Sequence, residues 1–344
     1  MLIYFLVLLV PLTIGLMHPS KPQKNYWGFW AYFLVLLVFC GFRFEVGPDW
    51  IGYLYIYEGY LNRDFAEVIE IAEPGYFLLN KASDWLGFGL AGVVFGGSLI
   101  FLYGCFSYAR KTSNPWLAVA VVMPYLVFII SLSGIRQAAA IGLGFYLFAH
   151  WDRSSLWTKL LVIALAVSFH NSAGVLLFFV IFGLKRNAWL RVLLAASVAV
   201  FVAYGLNQTD SFEKYKSVYV EQNLVSGGAF FHVLLVALPS ALYLLFRKRL
   251  ERNGVADVNV WLASLLTLGA MPLLAVSSTG VDRLTLYFSF VQMWVYPALL
   301  RAKVTDLNLL RLAVGVLVLA IFFVYFLFGS HAFAYLPYQN ILFN

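Results

Sequence analysis

Arg136 lies in "SLSGIRQAAAIGLGFYLF", between the apolar stretches 116–130 and 138–148. A permanent charge in such surroundings needs a partner. Ser133-Gly134 just before it reads as a helix start, where free N–H groups and the helix dipole already favour an anion. A further positive charge is unwelcome there unless an anion neutralises both. A phosphate would do so, because a guanidinium grips it with two prongs and never loses its charge. Arg43 ends one apolar run, and Arg283 opens another in "SSTGVDRLTLYF". The bland alternative for each arginine is snorkelling to lipid headgroups. His170, in "FHNS", is the favoured candidate for a general base, with the carboxylates Asp49 and Glu73 behind it. The chain has no GxxxxGK[ST], HExxH or GxSxG motif. His18, His150, His232 and His331 read as interfacial or packing residues, since the histidines form no i, i+4 pair.

The elements that must position these groups are membrane helices. The chain has 344 residues, 62% hydrophobic and only 11% charged, where a soluble domain carries about 25% charged residues. Apolar runs predict an all-α, polytopic protein of about 12 spans: 2–17, 26–42, 88–108, 116–130, 135–148, 160–168, 173–184, 188–206, 230–246, 258–276, 284–300 and 309–328. The first run lacks a basic n-region and a cleavage site, so it reads as a retained span. Cys40 and Cys105 lie in apolar runs and read as core residues. Of 23 basic residues, 16 fall in one alternate set of loops, among them Arg110, Lys111, Lys159, Arg247, Arg249 and Arg301. Basic loops stay cytoplasmic, which puts both termini, and the three arginines, on the outer side. The net charge of +7 is therefore ordinary membrane topology and not a nucleic-acid footprint. Residues 159–185 are too short for two ordinary crossings, yet one crossing would turn "RKRLER" outward. A short hairpin with His170 at a sunken apex resolves this, since irregular backbone at that depth must be buried or line a wet cavity.

Residues 43–87 form the largest outer loop, with 8 of the 16 acidic residues. Gly47-Pro48-Asp49 reads as a turn whose Asp49 caps a helix from about Trp50. Tyr53, Tyr57 and Tyr60 share one face of that helix. "AEPGY" breaks the chain before a second amphipathic helix over 76–85. The two helices are expected along the membrane interface, as a lid, with tyrosines that anchor there or stack on sugars.

The order "FRFEVGPDWIGYLYIY … EPGY … SGIRQ … FHNSA … DRLTLYF" resembles the EpsG-like, Wzy-type polymerases of bacterial exopolysaccharide, capsule or O-antigen. The matching residues are Arg43, Gly47, Asp49, Tyr53, Glu73, Pro74, Tyr76, Arg136, Gln137, His170, Ser172, Arg283 and Tyr287. They run from about 40 to 290; Pro48 departs from the pattern, and the chain after Leu300 adds nothing to it. The resemblance implies a GT-C-like glycosyltransferase of the bacterial inner membrane, without metal or other cofactor. Its partners would be donor and acceptor glycans on undecaprenyl pyrophosphate, membrane lipid, and a chain-length-regulating membrane protein. The acceptor hydroxyl would attack the donor's anomeric carbon and expel undecaprenyl pyrophosphate. On this reading Arg136 and Arg283 hold the pyrophosphate. Arg43 is a second anion contact or a partner of Glu45 or Asp49. Tyr53, Tyr76, Tyr287 and Gln137 touch sugar or phosphate. A glycan ligase, a membrane O-acyltransferase and a polysaccharide transporter are the competing readings.

Overall fold

A computed structural model describes residues 1–17, 26–64, 73–184, 187, 189–198 and 227–343. The described chain is helical throughout, with one isolated β-bridge between Arg43 and Asn340. The helices are α1 Leu2–Met17, α2 Trp27–Gly41, α3 Trp50–Leu61, α4 Pro74–Trp85 and α5 Gly89–Ala109. Next, α6 Pro115–Val122 runs on as a π-helix over Met123–Ser131, and α7 Ile135–Ala149 follows. The hairpin is α8 Leu156–Phe169, a 3₁₀ segment Asn171–Leu176 and α9 Leu177–Gly183. Then come α10 Trp189–Val198, α11 Gly227–Arg252, α12 Val258–Ala270, α13 Ser278–Thr285, α14 Phe290–Arg301 and α15 Leu307–Phe328.

Among the described residues, four helices are long and apolar enough to cross a membrane, and seven shorter apolar helices accompany them. The architecture is that of a polytopic membrane protein. Most expected spans coincide with a helix to within a few residues. The expected span 284–300 is instead broken: α13 leads through a 3₁₀ turn, Leu286–Phe288, into α14. The part of span 188–206 beyond Val198 lies outside the described residues, as do Lys21, Lys24, Lys185, Arg186, Lys214 and Lys216.

The bundle has two chemically different ends. At one end, Asn114, Ser155, Asp257 and Asp306 each cap the helix that follows, accepting from N–H groups of its first turn. Lys111 there pairs with Asp152 (3.5 Å) and Asp257 (3.1 Å). Arg249 donates to the carbonyls of Ala302, Lys303 and Val304. The basic alternate loops of the sequence thus meet at this end. At the other end, α8 turns at His170 instead of continuing, so the chain doubles back as a hairpin.

The core is tightest where α5 meets α7. A Cβ on Gly104 would lie 1.9 Å from the Gly142 carbonyl oxygen, and one on Gly142 would lie 2.4 Å from the Phe101 Cα. Small residues let membrane helices approach this closely.

The chain after α15 folds back onto the end where α8 turns. Ile341 N donates to Phe42 O (2.8 Å), Phe44 N to Gln339 O (3.1 Å) and Gly47 N to Ala334 O (2.8 Å). Tyr338 stacks on Phe39 at 4.5 Å and donates to its carbonyl at 2.7 Å. Tyr4 of α1 donates to Tyr335 O at 2.8 Å. The C-terminal region, which contributes nothing to the motif order, is therefore part of the structure around those motifs.

Gly142→Ala forces α5 and α7 apart. The expected result is a loss of about 2 kcal/mol, seen as a lower midpoint when the detergent-purified protein is thermally unfolded.

Candidate functional site

Between the π-helix and α7 lies a short junction over 132–134 where the chain leaves helical geometry at Gly134, and the carbonyls there need donors. Arg43 supplies one. Its Nε donates to Leu132 O (3.0 Å) and its Nη1 to Cys40 O (2.8 Å), with the residue 1% exposed. In this arrangement Arg43 donates to backbone carbonyls, and so braces the break. Gly47 presses on the same break. Its φ is +99°, and a Cβ would sit 2.3 Å from Leu132 O. Asp49 stands at the N-cap position of α3, yet its side chain does not cap; Oδ2 accepts from Ser133 Oγ at 2.5 Å. Tyr335 completes the frame, donating to Ile129 O at 3.3 Å.

Two residues past the break, Arg136 meets a resident anion. Its Nη1 lies 3.1 Å from Glu73 Oε2, and Glu73 Oε1 accepts from the Asn171 N–H at 3.2 Å. One carboxylate thus joins the start of α7 to the hairpin apex from the start of α4. The positive charge at a helix start is answered first from within the chain. Burial pushes the Glu73 carboxyl up from the ordinary carboxylate range, and Arg136, the Asn171 N–H and Arg283 pull against that. The guanidinium is not used up, because its Nε is buried and has no hydrogen-bond partner.

Tyr53 and Tyr76 flank Arg136, with ring centroids 5.9 and 5.8 Å from Cζ. The Tyr53 hydroxyl also accepts from the Arg136 N–H at 3.5 Å. The tyrosine face of α3 is turned onto α4 and not laid out for anchoring. Tyr53 packs on Tyr76 (5.8 Å), Tyr60 on Phe77 (5.3 Å), and Tyr57 donates to Asp84 (2.8 Å). Tyr76 is fully buried.

At the apex, His170 Nδ1 accepts from the Ser172 N–H (3.3 Å) and lies 2.6 Å from Ser172 Oγ. That hydroxyl contacts the Tyr287 hydroxyl at 3.1 Å. A backbone N–H can only donate, so Nδ1 carries the lone pair and the ring proton sits on Nε2. The nitrogen of His170 that carries the lone pair is thus occupied by Ser172. Gln137 Nε2 donates to Arg283 O (3.1 Å), which fixes the last turn of α13 against α7. Gln137 and Tyr287 therefore hold the site's other residues in place.

Arg136, Glu73, His170, Ser172, Tyr287, Gln137 and Arg283 form one neighbourhood assembled from α4, α7, the hairpin and α13. Asp49 and Arg43 lie behind it, on the break. The sequence reading missed one pair. His232 Nδ1 lies 3.1 Å from Asp282 Oδ2, on the residue preceding Arg283. Asp282 stood inside the "DRLTLYF" motif, but nothing in the sequence linked it to a histidine 50 positions earlier. Among the described residues no group of three or more His, Cys, Asp or Glu could hold a metal ion.

The model of the EpsG family matches residues 26–340. The chain belongs to the EpsG family. This is the family of the Wzy-type membrane polysaccharide polymerases. The EpsG match is wider than the motif order over 40–290. It takes in α14, α15 and the tail, in line with the tail's bonds to Phe42, Phe44 and Gly47. No curated protein and no solved structure matches the chain.

Arg43→Met leaves two buried carbonyls without donors. It should lower stability by about 2 kcal/mol in thermal unfolding, while the folded fraction keeps the KM for its glycan substrate. A raised KM would instead make Arg43 a substrate contact.

Proposed function

We propose that this chain polymerises oligosaccharide repeat units carried on undecaprenyl pyrophosphate, at the outer, periplasmic face of the bacterial inner membrane. It is a GT-C-like glycosyltransferase of about 12 spans with both termini outside, and it works without a metal ion. The observation that carries this reading is Arg136. Its charge is pre-positioned by Glu73, walled by Tyr53 and Tyr76, and keeps a buried Nε in reserve. Glu73 holds one edge of the guanidinium still, and the remaining edge is suited to a phosphate oxygen.

In this mechanism Arg136 and Arg283 bind the donor's pyrophosphate, and His170 adds the Nε2–H. These donors strengthen as charge develops on the departing oxygen, which is the largest lever available to an enzyme with a good leaving group. No general acid is then required. The acceptor hydroxyl attacks the anomeric carbon, the C–O bond to pyrophosphate breaks, and the electron pair leaves with the lipid carrier. A base must take the hydroxyl proton. Glu73 has both oxygens engaged, and Asp49 is exposed and bonded to Ser133. Glycan donor and acceptor, membrane lipid and a chain-length-regulating membrane protein are the partners on this reading.

The test uses the purified full-length chain and lipid-linked repeat units extracted from cells that lack it. Wild type should give a ladder of oligomers on the carrier. Without a ladder the polymerase reading fails. Arg136→Lys keeps the charge and loses the fork, and should lower kcat roughly 10²-fold. A wild-type rate would remove Arg136 from pyrophosphate binding.

A further inference from the structure

The geometry points to His232, oriented by Asp282, as the general base that takes the proton of the acceptor hydroxyl; the inference rests on the polymerase reading above. Four observations support it. First, the imidazole has the right tautomer. Asp282 Oδ2 lies 3.1 Å from Nδ1, and a carboxylate can only accept, so Nδ1 carries the proton and Nε2 the lone pair. His170 has the opposite arrangement, with the lone pair on an Nδ1 already engaged by Ser172. Of these two rings, His232 is the one whose basic nitrogen has no hydrogen bond among the described residues.

Second, the ring is held. It stacks on Tyr125 at 4.3 Å with the planes 28° apart, and Tyr125 belongs to the π-helix that leads into the 132–134 break. Runs of π-helix recur at functional sites because they re-aim side chains. Third, Nε2 is approachable. His232 lies back over Gly228, one turn earlier on α11, and a Cβ there would come within 3.4 Å of Nε2. Gly228 is exposed and carries no side chain that could cover that nitrogen. The His232 side chain itself remains 25% exposed.

Fourth, the dyad stands next to the pyrophosphate groups. Asp282 and Arg283 are neighbours on α13, with Cα atoms about 3.8 Å apart. Their side chains diverge by roughly 100° around the helix. Arg283 acts on Glu73, while Asp282 turns to His232. One short helix thus carries both the partner of the proposed base and an arginine that acts on Glu73, which ties the dyad to the pyrophosphate groups. As the hydroxyl oxygen bonds to the anomeric carbon, its proton passes to His232 Nε2, and the electron pair of the broken C–O bond leaves on pyrophosphate. Asp282 stabilises the imidazolium, which then returns its proton to water. The second Asp282 oxygen, Oδ1, is buried without a partner.

Two near-isosteric variants test this in the assay with extracted lipid-linked repeat units. In His232→Asn the amide keeps the hydrogen bond to Asp282 and loses Nε2. Its kcat should fall about 10²–10⁴-fold at unchanged KM, the range typical of a lost general base. In Asp282→Asn the amide can donate to Nδ1, which moves the ring proton to Nε2. The kcat should again fall, by more than about 10-fold at unchanged KM. Either variant with kcat within about threefold of wild type overturns the assignment. So does a loss confined to KM, which would make the pair a binding or structural element. If His232→Asn does not fold, Asp282→Asn decides alone. A wild-type ladder alongside unaffected variants sinks only the dyad, whereas no wild-type ladder sinks the polymerase reading and the dyad with it.

Discussion

One carboxylate sets the geometry of the candidate site. Glu73 holds the Arg136 guanidinium with one oxygen and the Asn171 N–H with the other. It thereby fixes α4, the start of α7 and the hairpin apex relative to each other. Taking a carboxyl and a guanidinium out of water is expensive, and their attraction offsets that cost only when the remaining polar atoms are also satisfied. Here they are not all satisfied, because Arg136 Nε is left over. A pair built for stability alone would have closed that account. The spare donor fits a group that must also receive an anion.

Behind this pair, the break at 132–134 depends on a frame of backbone bonds. Arg43, Gly47, Asp49 and Tyr335 approach it from two separate parts of the chain, the stretch 43–49 and the tail. Their work is to keep the start of α7 where its arginine can act. A motif arginine and a motif aspartate thus both contact the break, while Arg136, Glu73 and His170 meet one layer further on. Shared motifs mark both layers, so membership of the same motif order does not tell a brace from a contact.

The spans were legible in the sequence because burial in lipid writes itself as uninterrupted apolar runs. The one cap expected, Asp49, stands at the start of α3, but its side chain accepts from Ser133 instead, a partner 84 positions away. The turn at His170 followed from counting residues against membrane thickness. What stayed hidden depends on pairing across the fold. That Arg136 already had an anion could not be read, since Glu73 lies 63 positions away. Nor could the tautomer of His170, which is decided by a backbone N–H two residues on. The break between α13 and α14 was missed because Leu286, Tyr287 and Phe288 at the turn read as part of the apolar run that continues into α14. His232 looked like a packing residue because only Asp282, 50 positions later, shows otherwise.

The tail has a consequence for how the molecule comes into being. Membrane helices insert in order as the chain is made, so α7 with Arg136 emerges long before residues 334–341. The bonds from Ala334, Gln339 and Ile341 to the stretch 42–47 can form only after that. Until then the break lacks part of its frame, although Glu73 can already meet the arginine beside it. The frame behind the site thus closes late, by a stretch made well after the groups it steadies.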